Sequence, residues 1–332
     1  MAQPLISIVV PVLNEAENIP ALVSRLTPIL DTLEARWEIV FVDDGSTDST
    51  LAAIKALHDQ DPRFVAISFS RNFGKEIAIA AGLRYARGDA AIIMDADLQH
   101  PPEMVRAFVA HWRSGYQVVY GQRRNREADR PVRRLLSGAF YRLFNALART
   151  DIPKNAGDFR LLDRRAIEAM NALNETSRFN KGLFSWIGFR SIGVPYTVAA
   201  RTHGTSKWNF ARLLRFALDG LTSFSTLPLR IWSLIGLAIS FTAFAYALVF
   251  LVRTLLFGVD VPGFPSLIIS VMFFAGVQLI SLGVLGEYLG RVYEQVKARP
   301  LFIVAEEVGI ARHESDPRQW ADEQRSVRVA RR

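Results

Sequence analysis

Asp95-Ala96-Asp97-Leu98-Gln99, followed at once by His100-Pro101-Pro102-Glu103, closes the short apolar run from Ala90 to Met94. A buried strand therefore ends at Asp95, and a helix opens at the proline-marked turn that follows. Two carboxylates one residue apart at a strand end can turn toward one hard cation, with Gln99 adding a neutral oxygen. Oxygen donors of this kind suit magnesium or manganese rather than zinc. An isolated triplet of this type is equally a polar turn, so its meaning depends on the rest of the chain.

Working outward, the same alternation repeats. Leu5 to Val10 breaks at Pro11-Val12-Leu13-Asn14-Glu15, ahead of a helical pattern carried by Ile19, Leu22, Val23, Leu26 and Leu30. Trp37 to Val42 ends at Asp43-Asp44-Gly45-Ser46-Thr47-Asp48-Ser49-Thr50, a turn-forming cluster that can cap the next helix, Leu51 to Leu57. Phe64 to Phe69 precedes a helix from about Lys75 to Tyr85, and Val118 to Tyr120 makes a fifth strand. Further on, Gly157 to Leu162 and Ser191 to Ala200 read as strands, with helices over Phe140 to Leu147 and Ala166 to Leu173. Such alternation predicts an α/β fold, a Rossmann-like and mostly parallel sheet with helices on both faces. Ligands bind such sheets at the carboxyl ends of the strands, where both acidic clusters fall.

The chain has 332 residues, half of them hydrophobic, a net charge of +8 and no cysteine. The lack of cysteine excludes a disulfide framework and a thiol catalyst, and fits a reducing compartment. Ile231 to Val252 and Ser266 to Gly286 carry no charge. Each is about 20 residues, enough to cross the ~30 Å of a bilayer as a helix. Arg212, Arg215 and Arg230 precede the first run and Arg291, Lys297 and Arg299 follow the second, while Gly258 to Pro265 between them has no Lys or Arg. That asymmetry predicts both chain ends on the cytoplasmic side of an inner membrane, with Arg253 the one dissenting charge. Met1 to Val12 has no basic leader, so the N-terminal domain is expected to stay in the cytosol. With two spans present, anionic lipids and phosphorylated substrates are better-motivated partners for the positive charge than nucleic acid.

Between fifth strand and sixth, Arg123, Arg124, Arg126, Arg130, Arg133 and Arg134 fall within a dozen residues. They make either a solvated loop or a phosphate clamp, since guanidinium forks pair bidentately with phosphate oxygens. From Trp208 to Phe224, apolar residues at helical spacing alternate with Arg212, Arg215 and Asp219, the pattern of a helix lying in a membrane interface or packed on the domain. The organisation expected is a catalytic domain over 1–206, an interface helix over 207–227, transmembrane helices over 229–257 and 265–290, and a cytosolic tail over 291–332 whose end is mobile. Gly276, Gly283, Gly286 and Gly290 would permit close helix packing and suggest a homo-oligomer.

Taken in order, Pro11 to Glu15, Val42 to Ser46, Asn72-Phe73-Gly74-Lys75, Asp95 to Glu103, Arg133-Arg134-Leu135-Leu136-Ser137, Asp158-Phe159-Arg160-Leu161 and the Arg201 to Lys207 loop resemble family-2 glycosyltransferases of the GT-A fold. The resemblance is to the polyprenyl-phosphate sugar transferases, the bacterial undecaprenyl-phosphate glucosyltransferases and dolichol-phosphate mannose synthase among them. It implies a nucleotide pocket from Pro11, Leu13, Glu15, Val42 and Asp44, with Asp95 and Ala96 also at the donor. It implies a Mg2+ or Mn2+ ion on Asp95, Asp97 and Gln99. Arg123, Arg201 and Lys207 would surround the diphosphate and the incoming phosphate, and Arg133, Ser137, Arg160 and Arg201 would bind the acceptor phosphate. Asp158 falls at the family's proposed catalytic base, and here it is expected to orient Arg160 or the acceptor.

The activity so implied is inverting transfer from a nucleotide-sugar, UDP-glucose first, to undecaprenyl phosphate, with GDP-mannose, UDP-N-acetylglucosamine and a UDP-aminoarabinose derivative as alternatives. A processive polysaccharide synthase would carry Q-x-x-R-W, whereas Arg318-Gln319-Trp320 stands in the tail with other spacing. A non-catalytic membrane scaffold is the reading from another class. A nucleic-acid binder would need a basic helix or an aromatic platform, and none is read here.

Overall fold

A computed structural model of the chain describes residues 3–123, 153, 156–173, 175, 178–197 and 263–310, together with scattered positions between 236 and 257. Eight strands form one sheet: β1 (Leu5–Val12), β2 (Arg36–Asp43), β3 (Phe64–Phe69), β4 (Ala90–Ile93), β5 (Val118–Arg123), β6 (Ala156–Asp163), β7 (Ser191–Tyr196) and β8 (Val304–Val308). Their spatial order is β7-β5-β6-β4-β1-β2-β3-β8. β1 pairs in parallel with β2 and β4, β2 with β3, and β5 with β7, whereas β6 and β8 join in antiparallel sense. The predicted α/β sheet, mostly parallel, is thus present.

Period-two alternation explains how one strand serves two cores. Ile6, Ile8 and Val10 pack with Ile39 and Phe41 on one face, while Val9, Val40 and Val42 pack on the other. The first face is covered by α1 (Asn18–Leu30), α2 (Thr50–Gln60) and α4 (Met104–Arg113). The second is covered by α3 (Lys75–Tyr85), α5 (Arg164–Asn171) and α6 (Asn180–Trp186). In α1 the buried stripe is Ile19, Leu22, Leu26, Ile29 and Leu30, the spacing of one helical face. Gly82 lets α3 lie close on the sheet, because a Cβ there would overlap Val9 and Val42. Asp163 ends β6 and caps α5, accepting from Arg165 N at 3.0 Å while also taking the indole N–H of Trp112 at 2.8 Å.

Between β7 and β8, α7 (Phe264–Val296) is a single helix whose segment Phe273–Val296 is long and apolar enough to cross a membrane. Its large apolar side chains, Leu279, Leu289 and Val296 among them, are exposed. It is the one such helix among the described residues; of the first expected span, only scattered positions between 236 and 257 are described, and these are helical. The interface helix over 207–227, the helix over Phe140 to Leu147 and most of the arginine-rich segment lie outside the described residues.

The tail supplies an element that sequence reading misses. β8 returns to the sheet and pairs antiparallel with β3 through Ala66↔Val308, Ile67↔Glu307 and Ser68↔Glu306. Ser70 N also donates to Ile303 O at 3.0 Å, and Phe302 stacks on Phe69 with ring centroids 5.1 Å apart. Ion pairing of Lys55 in α2 with Glu306 at 2.5 Å and a hydrogen bond from Tyr85 in α3 to Glu307 at 3.0 Å tie the strand to the helices on both faces of the sheet.

Candidate active site

Three strand ends converge on one spot because one strand runs backward. β6 is antiparallel to β4 in the register Ile93↔Arg160, so Asp158, two residues earlier in the chain, comes level with Asp95 just beyond the carboxyl end of β4. Alternation predicts acidic clusters at Asp43-Asp44 and Asp95-Ala96-Asp97; the antiparallel insertion adds Asp158 to the second. It is long-range register, not local spacing, that makes the pair.

Between them stands Lys75, at the first turn of α3. Its Nζ lies 2.6 Å and 2.8 Å from the two Asp95 carboxylate oxygens and 3.4 Å from Asp158 Oδ2. Although the side chain as a whole is 43% exposed, packing around the ammonium works against the Lys75 charge; the Asp95 and Asp158 carboxylates outweigh it and hold the ammonium above the ordinary lysine range. Burial likewise pushes the Asp158 carboxyl up, but Lys181, Lys75 and Arg160 prevail and keep it well below the usual carboxylate range. Asp95 is lowered in the same manner, burial being outweighed by Lys75 and His100. Asp158 Oδ1 is buried and accepts no hydrogen bond. Next to Lys75, Glu76 accepts Asn180 N at 2.9 Å; burial, then the Asp158 charge, push its carboxyl up to about 7. The sequence carried one signal for this cluster, the Asn72-Phe73-Gly74-Lys75 motif, but no chemical role followed from it.

The turn after β4 is tight. Leu98 is buried at 3% exposure with φ of 56°, a left-handed conformation that costs a branched residue about 1–3 kcal/mol. Gln99 N donates to Asp97 Oδ1 at 3.2 Å, and Asp95 and Asp97 are both half-buried. Beneath the turn His100 is buried, stacked on Phe159 at 4.7 Å, with Asp95 N donating to its Nδ1 at 3.4 Å. Burial, with Lys75 and Arg123 nearby, holds the imidazole below its ordinary range and therefore neutral at pH 7, despite the Asp95 charge.

The first two strands shape the neighbouring pocket. Pro11 and Val42 are register partners, and Glu15 accepts the Asn18 side-chain amide at 2.5 Å while its own N–H donates to Thr50 at 2.9 Å. Leu13 is half-buried just past β1, and Ala96 is buried within the turn after β4. Asp44 is buried and accepts the backbone N–H of Phe73 at 2.7 Å and of Gly74 at 3.0 Å, so its carboxylate ties the 72–75 loop to the end of β2. Burial raises its pKa, opposed by those two bonds. Gly45 follows with φ of 73°, and a Cβ there would come within 2.6 Å of the Arg71 carbonyl carbon.

Arg123 closes the other side, donating to the Tyr196 hydroxyl at 3.3 Å from the end of β5. Arg160 is 4% exposed, donates to Gly157 O at 2.5 Å, lies 3.9 Å over the Phe184 ring and brings its charge near Asp158. Arg133, Ser137, Arg201 and Lys207 lie outside the described residues. The structure therefore brings Asp95, Asp97, Asp158 and Arg123 to one strand end, with Pro11, Leu13, Glu15, Val42 and Asp44 on the adjoining β1–β2 side.

No group of three His, Cys, Asp or Glu side chains forms a metal cage among the described residues. A D-x-D pair still fits a magnesium or manganese ion, which binds through one or two carboxylates and takes the remainder from substrate phosphates and water.

Comparison with known proteins agrees with this architecture. Residues 7–170 match the family described as Glycosyl transferase family 2. A Synechocystis protein, "Uncharacterized glycosyltransferase sll0501", is 46% identical over 92% of this chain and 96% of its own length. The SfII prophage-derived bactoprenol glucosyl transferase of Shigella flexneri is 44% identical over 90% of this chain and 97% of that protein. Among solved structures, a glucosyl-3-phosphoglycerate synthase of Mycobacterium tuberculosis, in complex with Mn2+, UDP and its product, aligns at 20% identity with a TM-score of 0.44, over 67% of this chain and 80% of that one.

Proposed function

The chain belongs to glycosyl transferase family 2 and is a glycosyltransferase, and from that premise we propose that it transfers glucose from UDP-glucose to undecaprenyl phosphate at the cytoplasmic face of a membrane. The observation that carries the reading is the 44% identity to a bactoprenol glucosyl transferase, which extends over 90% of this chain and 97% of that protein.

The residue roles proposed here come from the family resemblance, with the geometry of the described residues in support. Pro11, Leu13, Glu15 and Val42 shape the nucleotide pocket, and Asp44 keeps its floor rigid through the 72–75 loop. Asp95 and Asp97, with Gln99, would hold a Mg2+ or Mn2+ ion, which when bound would stabilise the negative charge that builds on the departing phosphates. Arg123 adds fixed positive charge on the same side. Arg133, Ser137, Arg201 and Lys207 receive the acceptor phosphate. Arg160, packed under Phe184, serves that group from behind rather than by contact.

The acceptor is a phosphate monoester whose second pKa is about 6, so it is largely a dianion at neutral pH and needs placing more than deprotonation. Asp158, held ionised beside Lys75, orients rather than abstracts. Direct attack on the anomeric carbon, opposite the leaving diphosphate, inverts the centre and gives a β-linked lipid from an α-linked donor.

Membrane anchorage fits the same picture. Because β8 pairs with β3, the chain ends α7 on the side of the catalytic domain. If α7 crosses the membrane, a second crossing must precede it, which supports a span over 229–257 and a two-span hairpin. Anchoring keeps the site at the depth of a lipid phosphate and raises its effective concentration.

The test is transfer from radiolabelled UDP-glucose, UDP-N-acetylglucosamine, a UDP-aminoarabinose derivative and GDP-mannose to undecaprenyl phosphate in detergent with Mg2+ or Mn2+. Lipid-linked glucose from UDP-glucose alone is the expected result. A different donor would replace the sugar, and donor binding without any lipid product would overturn the acceptor and return the scaffold reading.

A further inference from the structure

Lys75 neutralises the carboxylate that the metal reading requires. Both Asp95 oxygens face its ammonium, at 2.6 Å and 2.8 Å, and Asp158 Oδ2 is 3.4 Å from the same nitrogen. A divalent ion on Asp95 must take at least one of those oxygens. Two cations on one carboxylate repel at this range, so an arriving ion weakens the hold of Asp95 on the ammonium. The side chain has room to move away, being 43% exposed. A lysine suits exchange better than an arginine, being a point charge on a flexible stem rather than a rigid fork.

We propose that Lys75 is an exchangeable counter-ion of Asp95, which keeps divalent-ion binding weak until a nucleotide diphosphate arrives with the ion and accepts the released ammonium. Resting on the metal reading above, this gives Lys75 a positioning role that couples ion to donor. Asp158, already within reach and with one buried oxygen accepting no hydrogen bond, receives part of the ammonium's charge as it moves.

The test is Mn2+ binding by electron paramagnetic resonance on the full chain in detergent, with and without UDP, so that no turnover is read. Wild type should bind Mn2+ weakly alone and markedly more tightly with UDP. Lys75→Met should bind Mn2+ alone about tenfold or more tightly than wild type, the scale on which a neighbouring charge alters cation affinity at a carboxylate. Addition of UDP should then tighten its binding less than it does for wild type. Lys75→Arg keeps the charge and should keep the weak nucleotide-free affinity, which makes it the control if the methionine variant folds poorly. Nucleotide-free affinity within twofold of wild type in Lys75→Met, or equal tightening in Lys75→Arg, would overturn the proposal while leaving the metal site standing. Absence of Mn2+ binding in wild type even with UDP, or binding untouched by Asp97→Asn, would remove the metal reading and this proposal together.

Discussion

Glu76 is where the crowding of charge around Asp158 should be felt in stability. Its carboxyl is raised to about 7 by burial and then by the Asp158 charge. A carboxyl with a raised native pKa binds more protons folded than unfolded between about 4.5 and 7, so its contribution to stability is present at the acid end and lost as pH rises. Thermal midpoints of the full chain at pH 5, 6 and 7 should therefore fall more steeply for wild type than for Glu76→Gln, which stays neutral and can still accept Asn180 N. Equal slopes would mean that Glu76 titrates as an ordinary glutamate. At this scale the sequence was legible where chemistry is local. Asp95, Asp97 and Asp44 stand at strand ends as their motifs suggest. Lys75 and Glu76 were not legible, because their significance comes from β6 running antiparallel, and nothing in the spacing of Asp158 says which strand it will lie beside. Leu98 shows the same limit: its left-handed backbone is imposed by the turn and is foreign to leucine's own preference.

Among elements, β8 is the one that changes the account. Sequence reading expects a tail beyond Arg299, since Val304 to Val308 is short and carries two glutamates. An edge strand tolerates that polar face, and its partner β3, read without difficulty as Phe64 to Phe69, supplies the other half of the pairing. The consequence is mechanical: Phe302 stacks on Phe69, which packs edge-on against Phe73 at 5.6 Å, and Phe73 is held by Asp44 one residue before Gly74 and Lys75. The segment leaving α7 thus braces the loop that carries Lys75. Phe302→Ala should cost about 1–3 kcal/mol, as expected for removing a partly buried ring. It should also speed hydrogen exchange at the Phe73 and Gly74 amides. Lower stability with unchanged exchange at those amides would show that β8 closes the sheet without bracing the loop. Elements bounded by clear turn signals, such as β3 and α3, were legible to the residue; α6 escaped because seven residues are too few to display a period.

For the whole molecule, sheet pairing and membrane topology constrain each other. Strand β8 ties the chain after α7 to the catalytic domain, so the number of crossings between β7 and β8 is even. The absence of cysteine makes labelling clean: Ala305→Cys should react with an impermeant maleimide only after the membrane is opened, whereas Asp260→Cys, in the expected connector, should react in intact cells. Reaction of both from outside, or of neither, would contradict a two-span hairpin. Apolar runs made both expected spans legible in the sequence, whereas the long-range pairing of β8 is what returns the chain after α7 to the sheet. On the proposed function, a lipid phosphate and a nucleotide-sugar meet at these strand ends and react directly, without a covalent sugar on Asp158. The anomeric configuration of the lipid-linked sugar, read by NMR from product made with an α-linked donor, tests this most directly. A β-linked phosphodiester is predicted; an α-linked one would require two displacements and would contradict the assignment of Asp158 as an orienting, Lys75-paired carboxylate.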